Sequence, residues 1–242
     1  METESETMET ESRLQFRSSR RLFVAAIPGL ALAAAACSSD DDAADTKVVP
    51  RPTPATPDEA LEVLLEGNER FAANTPEALS AATLEAARAS NAEGQAPFAT
   101  VLACADSRVA SEMIFDQFLG DIFVVREAGN IAQSPTNLGS LEFGHAALGS
   151  NLLVVCGHSS CGAVDAAFTG AEPGGNIQSI VDAIQPGIGG ASSLDEAVAM
   201  NVDAVIEQIR NGSEILRSAE EEGELKIVGA IFDLETGVVS LI

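Results

Sequence analysis

Runs of apolar residues separated by amphipathic segments dominate the chain from position 98 onward. These runs are rich in Val, Ile and Leu and lack a strict polar–apolar alternation, which is typical of strands buried on both faces of a sheet. A turn at residues 234–237 then leads into a short apolar segment that we expect to return antiparallel, as an edge strand. The predicted strands are residues 98–103, 121–125, 151–156, 225–232 and 238–242.

Helical periodicity fills the intervals between these strands. Residues 109–118 and 136–149 separate the first three strands, and residues 194–211 carry an apolar stripe at helical spacing. Strands that alternate with helices predict an α/β fold, with a central, mostly parallel β-sheet flanked by helices and an antiparallel C-terminal edge strand. Residues 169–193 are rich in glycine and form the least regular stretch.

Two further helices are predicted ahead of the first strand. Thr56 can cap the first of them, and Glu59 completes a capping box three residues later. An Ala-rich segment at residues 76–90 is expected to form the second. We therefore expect the folded domain to span residues 58–242.

The first 37 residues have the layout of an export signal. Arg20 and Arg21 precede an apolar run at residues 24–36, which at 13 residues is too short to span a membrane. The paired arginines resemble a twin-arginine signal. Residues 38–57 are acidic and then Pro-rich, and we expect them to form a linker that does not pack.

The end of this signal resembles a lipoprotein processing box. In the sequence Ala34-Ala35-Ala36-Cys37, processing would make Cys37 the lipidated first residue. Ordinary cleavage near Ala36, with Cys37 as an incidental thiol, is the alternative. Either route predicts an exported, periplasmic or extracytoplasmic protein, and lipidation would add attachment to the cell membrane.

The charge balance narrows the range of partners. The chain has 37 acidic and 13 basic residues, a formal net charge of −24. Nucleic-acid binding is not expected, because phosphate neutralisation requires clustered Lys and Arg. Abundant carboxylates with few lysines suggest a surface adapted to high salt, and an ordinary acidic surface is the alternative.

Two motifs that contain cysteine and histidine directly follow predicted strands. Residues 104–108 (CADSR) follow the first strand, and residues 157–162 (GHSSCG) follow the third. Ligands of open α/β sheets collect at the carboxyl ends of strands, so both motifs are expected at one place. Two thiolates and one imidazole, from Cys104, Cys161 and His158, suit one zinc ion per chain.

Asp106 and Arg108 belong to the first of these motifs. A zinc ion held by two thiolates and a neutral imidazole carries no net charge, so its bound water is harder to ionise than at a three-histidine site. Arg108 could fix the Asp106 carboxylate as the acceptor for a hydrogen bond from zinc-bound hydroxide. If that ion pair breaks, Asp106 could become a fourth zinc ligand and close the site.

Both motifs strongly resemble the signatures of β-class carbonic anhydrases. The intervening segments at residues 114–117, 120–126 and 128–130 resemble the same family, as does the C-terminal strand pair from residue 226. The resemblance covers roughly residues 58–242, and it implies that this part of the chain is a catalytic domain.

The resemblance implies a carbonate dehydratase, a carbon–oxygen lyase that hydrates CO₂ reversibly to bicarbonate and a proton by zinc-bound hydroxide. It implies that the two cysteines and the histidine bind zinc, with Asp106 and Arg108 as the catalytic dyad. It also implies a homodimer or larger homo-oligomer, in which N-terminal helices at residues 58–90 wrap the partner.

The absence of Trp and Tyr from the sequence bears on regulation. Family members with a bicarbonate-regulated closed state use a Trp–Arg–Tyr pocket, so we expect an open, water-bound zinc at rest. Two other functions stay open. One is hydrolysis of a CO₂ isostere, carbonyl sulfide or carbon disulfide, on the same scaffold, and the other is a non-catalytic, zinc-stapled lipoprotein.

Several nearby residues have simpler expected roles. Cys156 lies within a predicted strand and is expected to pack in the core. His145 is expected to be a packed or interface histidine rather than a proton shuttle. Gly129 and Asn130 are expected to shape the pocket wall or a turn.

Overall fold

A computed structural model describes residues 53–242, so the predicted export signal, Cys37 and most of the predicted linker lie outside the described residues. Five strands form one sheet: β1 (Ala99–Ala103), β2 (Ile122–Arg126), β3 (Leu152–His158), β4 (Lys226–Phe232) and β5 (Val239–Leu241). Their order is β2-β1-β3-β4-β5, with β5 antiparallel to β4 and all other pairs parallel. The predicted fold class is confirmed.

Eight α-helices accompany the sheet in the described part of the chain. They are α1 (Pro57–Ala72), α2 (Ala81–Ser90), α3 (Ser111–Ile114), α4 (Pro135–Glu142), α5 (Gly162–Phe168), α6 (Ile177–Ile184), α7 (Leu194–Gly212) and α8 (Glu214–Glu221). A π-helical turn (Phe143–Ala147) extends α4, and 3₁₀ turns occupy Ala128–Asn130 and Gln185–Ile188. None of the described helices is long and apolar enough to cross a bilayer.

Some helix boundaries differ from the prediction. Helix α2 begins only at Ala81, after Ser80 has capped it. The segment after β1 forms a single helical turn, α3, because Asp116 adopts a left-handed backbone (φ 47°) through which an α-helix cannot continue. The glycine-rich residues 169–193 contain α6, whose apolar face is too short to stand out among the glycines. Helices α5 and α8 are equally short and were not predicted.

Each face of the sheet has its own hydrophobic core. Successive side chains of a strand point to opposite faces. Val101 and Val154 therefore join the core under α1 and α3, whereas Leu102 and Val155 join the core under α7 and α8. Burial on both faces accounts for the continuous apolar runs in the sequence.

Helix α1 is capped at its start and anchored to the domain near its end. The predicted capping box is present, since the Thr56 hydroxyl accepts from the Glu59 N–H and the Glu59 carboxylate accepts from the Thr56 N–H. Near its other end, buried Asn68 donates to the Ile114 carbonyl and accepts from the Val239 N–H. Helix α2, in contrast, buries none of its residues.

Candidate active site

The crevice between the carboxyl ends of β1 and β3 is the topological switch point of the sheet. The chain passes from β1 to β2 on one side and from β3 to β4 on the other, and ligands of open α/β sheets bind at such points. The β1–β3 register pairs Ala103 with Cys156. Cys104 therefore comes beside the end of β3, where His158 is the last residue, and Cys161 is the N-cap of α5.

The three predicted metal ligands meet in this crevice. The ligand atoms of Cys104, His158 and Cys161 all lie within 4.8 Å of one another, and all three residues are buried. A tetrahedral zinc ion with bonds of about 2.0–2.3 Å holds its ligand atoms roughly 3.5–3.8 Å apart. The observed cluster fits such an ion with only small side-chain adjustments.

His158 is oriented by the backbone of the next residue. Its Nδ1 lies 3.0 Å from the Ser159 carbonyl oxygen, so Nδ1 carries the proton and donates a hydrogen bond to that oxygen. Nε2 is then an acceptor, and it is buried without a hydrogen-bond partner among the described residues. A buried acceptor left unpaired costs free energy. Coordination of a metal by Nε2 would remove that cost, and the carbonyl partner on Nδ1 is typical of metal-bound histidines.

The two cysteines predicted to be ligands perturb one another strongly. Hydrogen bonding from Cys161 lowers the pKa of Cys104 well below its usual value. Hydrogen bonding with the Cys104 sulfur, together with burial, raises the pKa of Cys161. The two thiols therefore do not ionise independently of one another. A metal that binds both sulfurs must displace a proton, so its affinity should fall as the pH falls.

Arg108 holds the Asp106 carboxylate through three hydrogen bonds. Oδ1 accepts from the Arg108 Nε and backbone N, each at 2.9 Å, and Oδ2 accepts from Nη2 at 2.7 Å. These bonds keep the pKa of the Asp106 carboxyl well below its usual range, so the group is ionised at physiological pH. Oδ2 lies 3.9 Å from His158 Nε2, which places the carboxylate at the edge of the ligand cluster.

Arg126 braces the loop that carries Cys104 and Asp106. It is the last residue of β2, and its guanidinium donates to the Cys104 carbonyl at 3.1 Å and to the Asp106 carbonyl. Sequence reasoning gave Arg126 no role. The signal that could have indicated this role is its position. Arg126 ends β2, which pairs with β1, and the register sets Arg126 against Ala103, the residue before Cys104.

Gly129 also contacts the site. Its backbone N–H donates to Cys104 Sγ at 3.3 Å, and its φ of 71° suits glycine. The next residue, Asn130, is buried and also left-handed, with a φ of 46°. The pair thus forms a tight turn, and one N–H of that turn donates a hydrogen bond to a predicted metal ligand.

Neither His145 nor Cys156 belongs to the ligand cluster. His145 Nδ1 bonds to the carbonyl oxygen of Ser150, just before β3, so this histidine lies at the opposite end of that strand from His158. Seven strand residues span about 20 Å. Cys156 is buried in the core under α1, and burial raises the pKa of its thiol to about 12.

Comparison with known proteins identifies the family. A family model described as carbonic anhydrase matches residues 99–239. The protein "Carbonic anhydrase 2" of Mycobacterium tuberculosis is 41% identical over 187 residues, which cover 74% of this chain and 89% of the relative. The chain belongs to the carbonic anhydrase family.

Solved structures agree with this family and with the β class. The β-carbonic anhydrase of Coccomyxa, in complex with acetazolamide, superimposes with a TM-score of 0.60 at 28% identity, covering 75% of this chain and 86% of that one. A tetrameric β-carbonic anhydrase of Sordaria macrospora gives a TM-score of 0.59 at 25% identity, covering 66% and 91%. The resemblance found in the sequence motifs is thereby confirmed.

The ligand assignment can be tested by zinc analysis of cysteine variants. Replacing Cys104 or Cys161 with Ala should reduce zinc from about one ion per chain to nearly none, because two remaining ligands bind too weakly. Cys156→Ala is the matched control, since it also removes a buried thiol, and it should retain its zinc. Full zinc content in Cys104→Ala, or an equal loss in Cys156→Ala, would contradict the assignment.

Proposed function

We propose that the chain is a zinc-dependent carbonate dehydratase that hydrates CO₂ reversibly to bicarbonate and a proton. One observation carries the proposal: three buried ligand atoms, including the unpartnered Nε2 of His158, converge beside the ionised Asp106 carboxylate. Membership of the β-carbonic anhydrase family supports it.

Cys104, His158 and Cys161 would hold the metal. Zinc bound there would supply a Lewis acid that makes water nucleophilic near neutral pH. The Ser159 carbonyl keeps the proton on His158 Nδ1 and leaves Nε2 free to coordinate. The cysteine ligands pack among apolar side chains that include Val164, and this apolar wall strengthens electrostatic interactions by excluding water.

Asp106 would accept the hydrogen bond of the attacking water. Oδ1 already accepts two hydrogen bonds from Arg108, whereas Oδ2 accepts one and keeps a second acceptor position. An ionised Oδ2 can therefore orient the water so that its lone pair faces CO₂. The same three bonds restrain Asp106 from joining the metal ligands, which favours the open site that we expect at rest.

Asp106→Asn should lower the rate of CO₂ hydration by about 10²–10⁴-fold at neutral pH, because a neutral amide is a poor acceptor for the attacking water. Zinc content should stay near one ion per chain. Stopped-flow hydration with a pH indicator measures the rate. Asp182→Asn is the matched control, because it removes the same charge from the exposed face of α6. It should leave the rate unchanged.

The same assay separates the other two functions. Wild-type protein that releases sulfide from carbonyl sulfide or carbon disulfide, without hydrating CO₂, would be an isostere hydrolase. Stoichiometric zinc with no activity on any of these gases would indicate a non-catalytic, zinc-stapled lipoprotein. Either result would contradict the proposal.

We further infer a homo-oligomer in which a second copy covers the β2 side of the domain. Strand β2 lies at the edge of the sheet, yet its residues are apolar up to Arg126 and only half-buried. A groove of about 810 Å³ opens nearby, and the apolar residues that line it include Phe71, Met113 and Leu119. No residue of helix α2 is fully buried within its own chain. An unprotected apolar edge favours pairing with another chain, and the Sordaria relative is tetrameric.

The double variant Met113→Glu and Leu119→Glu should shift the protein toward smaller species, because it places charges on this apolar groove. Met113 is 67% exposed and Leu119 is 50% exposed, so the fold itself should tolerate both changes. Light scattering after size exclusion measures the mass. Ile215→Glu, on exposed α8, is the control and should not change it. An unchanged mass for the double variant would refute this interface.

We also infer that residues 1–37 direct export and that Cys37 carries a lipid. The support is the order of paired arginines, a short apolar run and a small-residue box before Cys37. Export of an already folded protein would keep Cys104 and Cys161 on their metal before they meet an oxidising compartment.

In cells that express the full chain, wild-type protein should partition to the membrane and take up labelled fatty acid. Cys37→Ala should remain exported but lose both properties, because the acylated residue is absent. Replacing Arg20 and Arg21 with Lys should instead retain the precursor in the cytoplasm. Fractionation and mass spectrometry of the N-terminus give the readout. A Cys37→Ala protein that stays in the membrane would argue for a different anchor.

A further inference from the structure

Asn201 is a polar residue on the apolar, inward face of α7. Its exposed fraction is 2%, and the neighbouring inward positions are Ala197, Val198 and Val202. A buried amide at such a position costs free energy unless it is hydrogen-bonded. Its Nδ2 donates to the carbonyl oxygen of Gly129 at 3.0 Å, a bond that joins residues 72 apart in sequence.

Gly129 forms hydrogen bonds both with Asn201 and with a predicted metal ligand. Its carbonyl accepts from Asn201, and its own N–H donates to Cys104 Sγ at 3.3 Å. A Cβ at position 129 would lie 2.6 Å from Ile184 Cδ1, so the turn packs closely against α6. The carbonyl belongs to the peptide after the Gly129 Cα and the N–H to the peptide before it, so the Asn201 bond and the close packing together restrain the turn on both sides of the N–H.

We propose that Asn201 is a positioning residue for the Cys104 sulfur, acting through the backbone of Gly129. This inference rests on the proposed function, because it takes Cys104 as a metal ligand. An N–H that points at a thiolate withdraws electron density from the sulfur and stabilises its charge. By holding Gly129 in place, Asn201 sets how strongly the Cys104 sulfur donates to the metal.

A purely structural role would have a different signature. If Asn201 only ties α7 to the turn, its loss should reduce stability and leave the electronic properties of the sulfur unchanged. A positioning role predicts in addition a weaker N–H···S contact and a more electron-rich sulfur. The charge-transfer band from thiolate to cobalt(II) reports this difference, since a more electron-rich sulfur moves the band to longer wavelength.

The experiment replaces zinc with cobalt(II) in three full-length proteins: the wild type, the Asn201→Leu variant and the Ile209→Ala variant. Leu matches the size of Asn and suits the apolar face, whereas Ile209→Ala destabilises the same helix two turns further along, in the core under α7 and α8. Asn201→Leu should move the charge-transfer band to longer wavelength, because the Cys104 sulfur becomes more electron-rich. Ile209→Ala should leave the band where it is in the wild type. If Asn201→Leu does not fold, Asn201→Ala is measured in its place.

The outcomes separate this inference from the proposed function. A wild-type protein without a charge-transfer band would show that Cys104 is not a ligand, and the proposed metal site would fail first. A wild-type band that is unchanged in the Asn201 variant would overturn the positioning role alone. A band that moves equally in Ile209→Ala would also overturn it, because the effect would then be a general consequence of destabilising α7.

Discussion

The parallel pairing of β1 with β3 is the interaction on which the site depends. Its register sets Ala103 against Cys156, and the position of each predicted metal ligand then follows from where these two strands end. A shift of one strand by one residue would turn that strand's side chains to the opposite face and separate Cys104 from His158. Both strands are buried on both faces, so the packing that stabilises the sheet also fixes the separation of the ligands.

Around this pair, two arginine side chains fix the short loop that carries Cys104 and Asp106. Arg126 and Arg108 both serve the short loop after β1, the first through backbone carbonyls and the second through the Asp106 carboxylate. Two arginines therefore contact one five-residue motif, although the chain has only 13 basic residues against 37 acidic ones. Among the described residues, two buried side-chain atoms near the site have no hydrogen-bond partner, Asn130 Nδ2 and His158 Nε2, and a metal ion would bind the second of them.

Much of this arrangement could be predicted from the sequence. The buried strands, the capping box at Thr56 and the convergence of the two motifs follow from local patterns and from the rule that sites lie at strand ends. The outer contacts could not be predicted in this way. Asn201 lies 97 residues after Cys104, and nothing in helical periodicity indicates that its amide meets the Gly129 carbonyl. The early end of α3 depends on one left-handed residue, Asp116, which composition does not reveal.

The predicted metal ligands come from two segments far apart in the chain, and this affects how the protein folds. His158 and Cys161 are near neighbours and can share an ion in a loosely ordered chain, whereas Cys104 can join them only after a loop of more than fifty residues has closed. Because the third ligand is gained only at that step, metal affinity depends on closure of the chain. The folded population should therefore follow the free zinc concentration, with each tenfold increase above the dissociation constant adding about 1.4 kcal/mol to the free energy of unfolding.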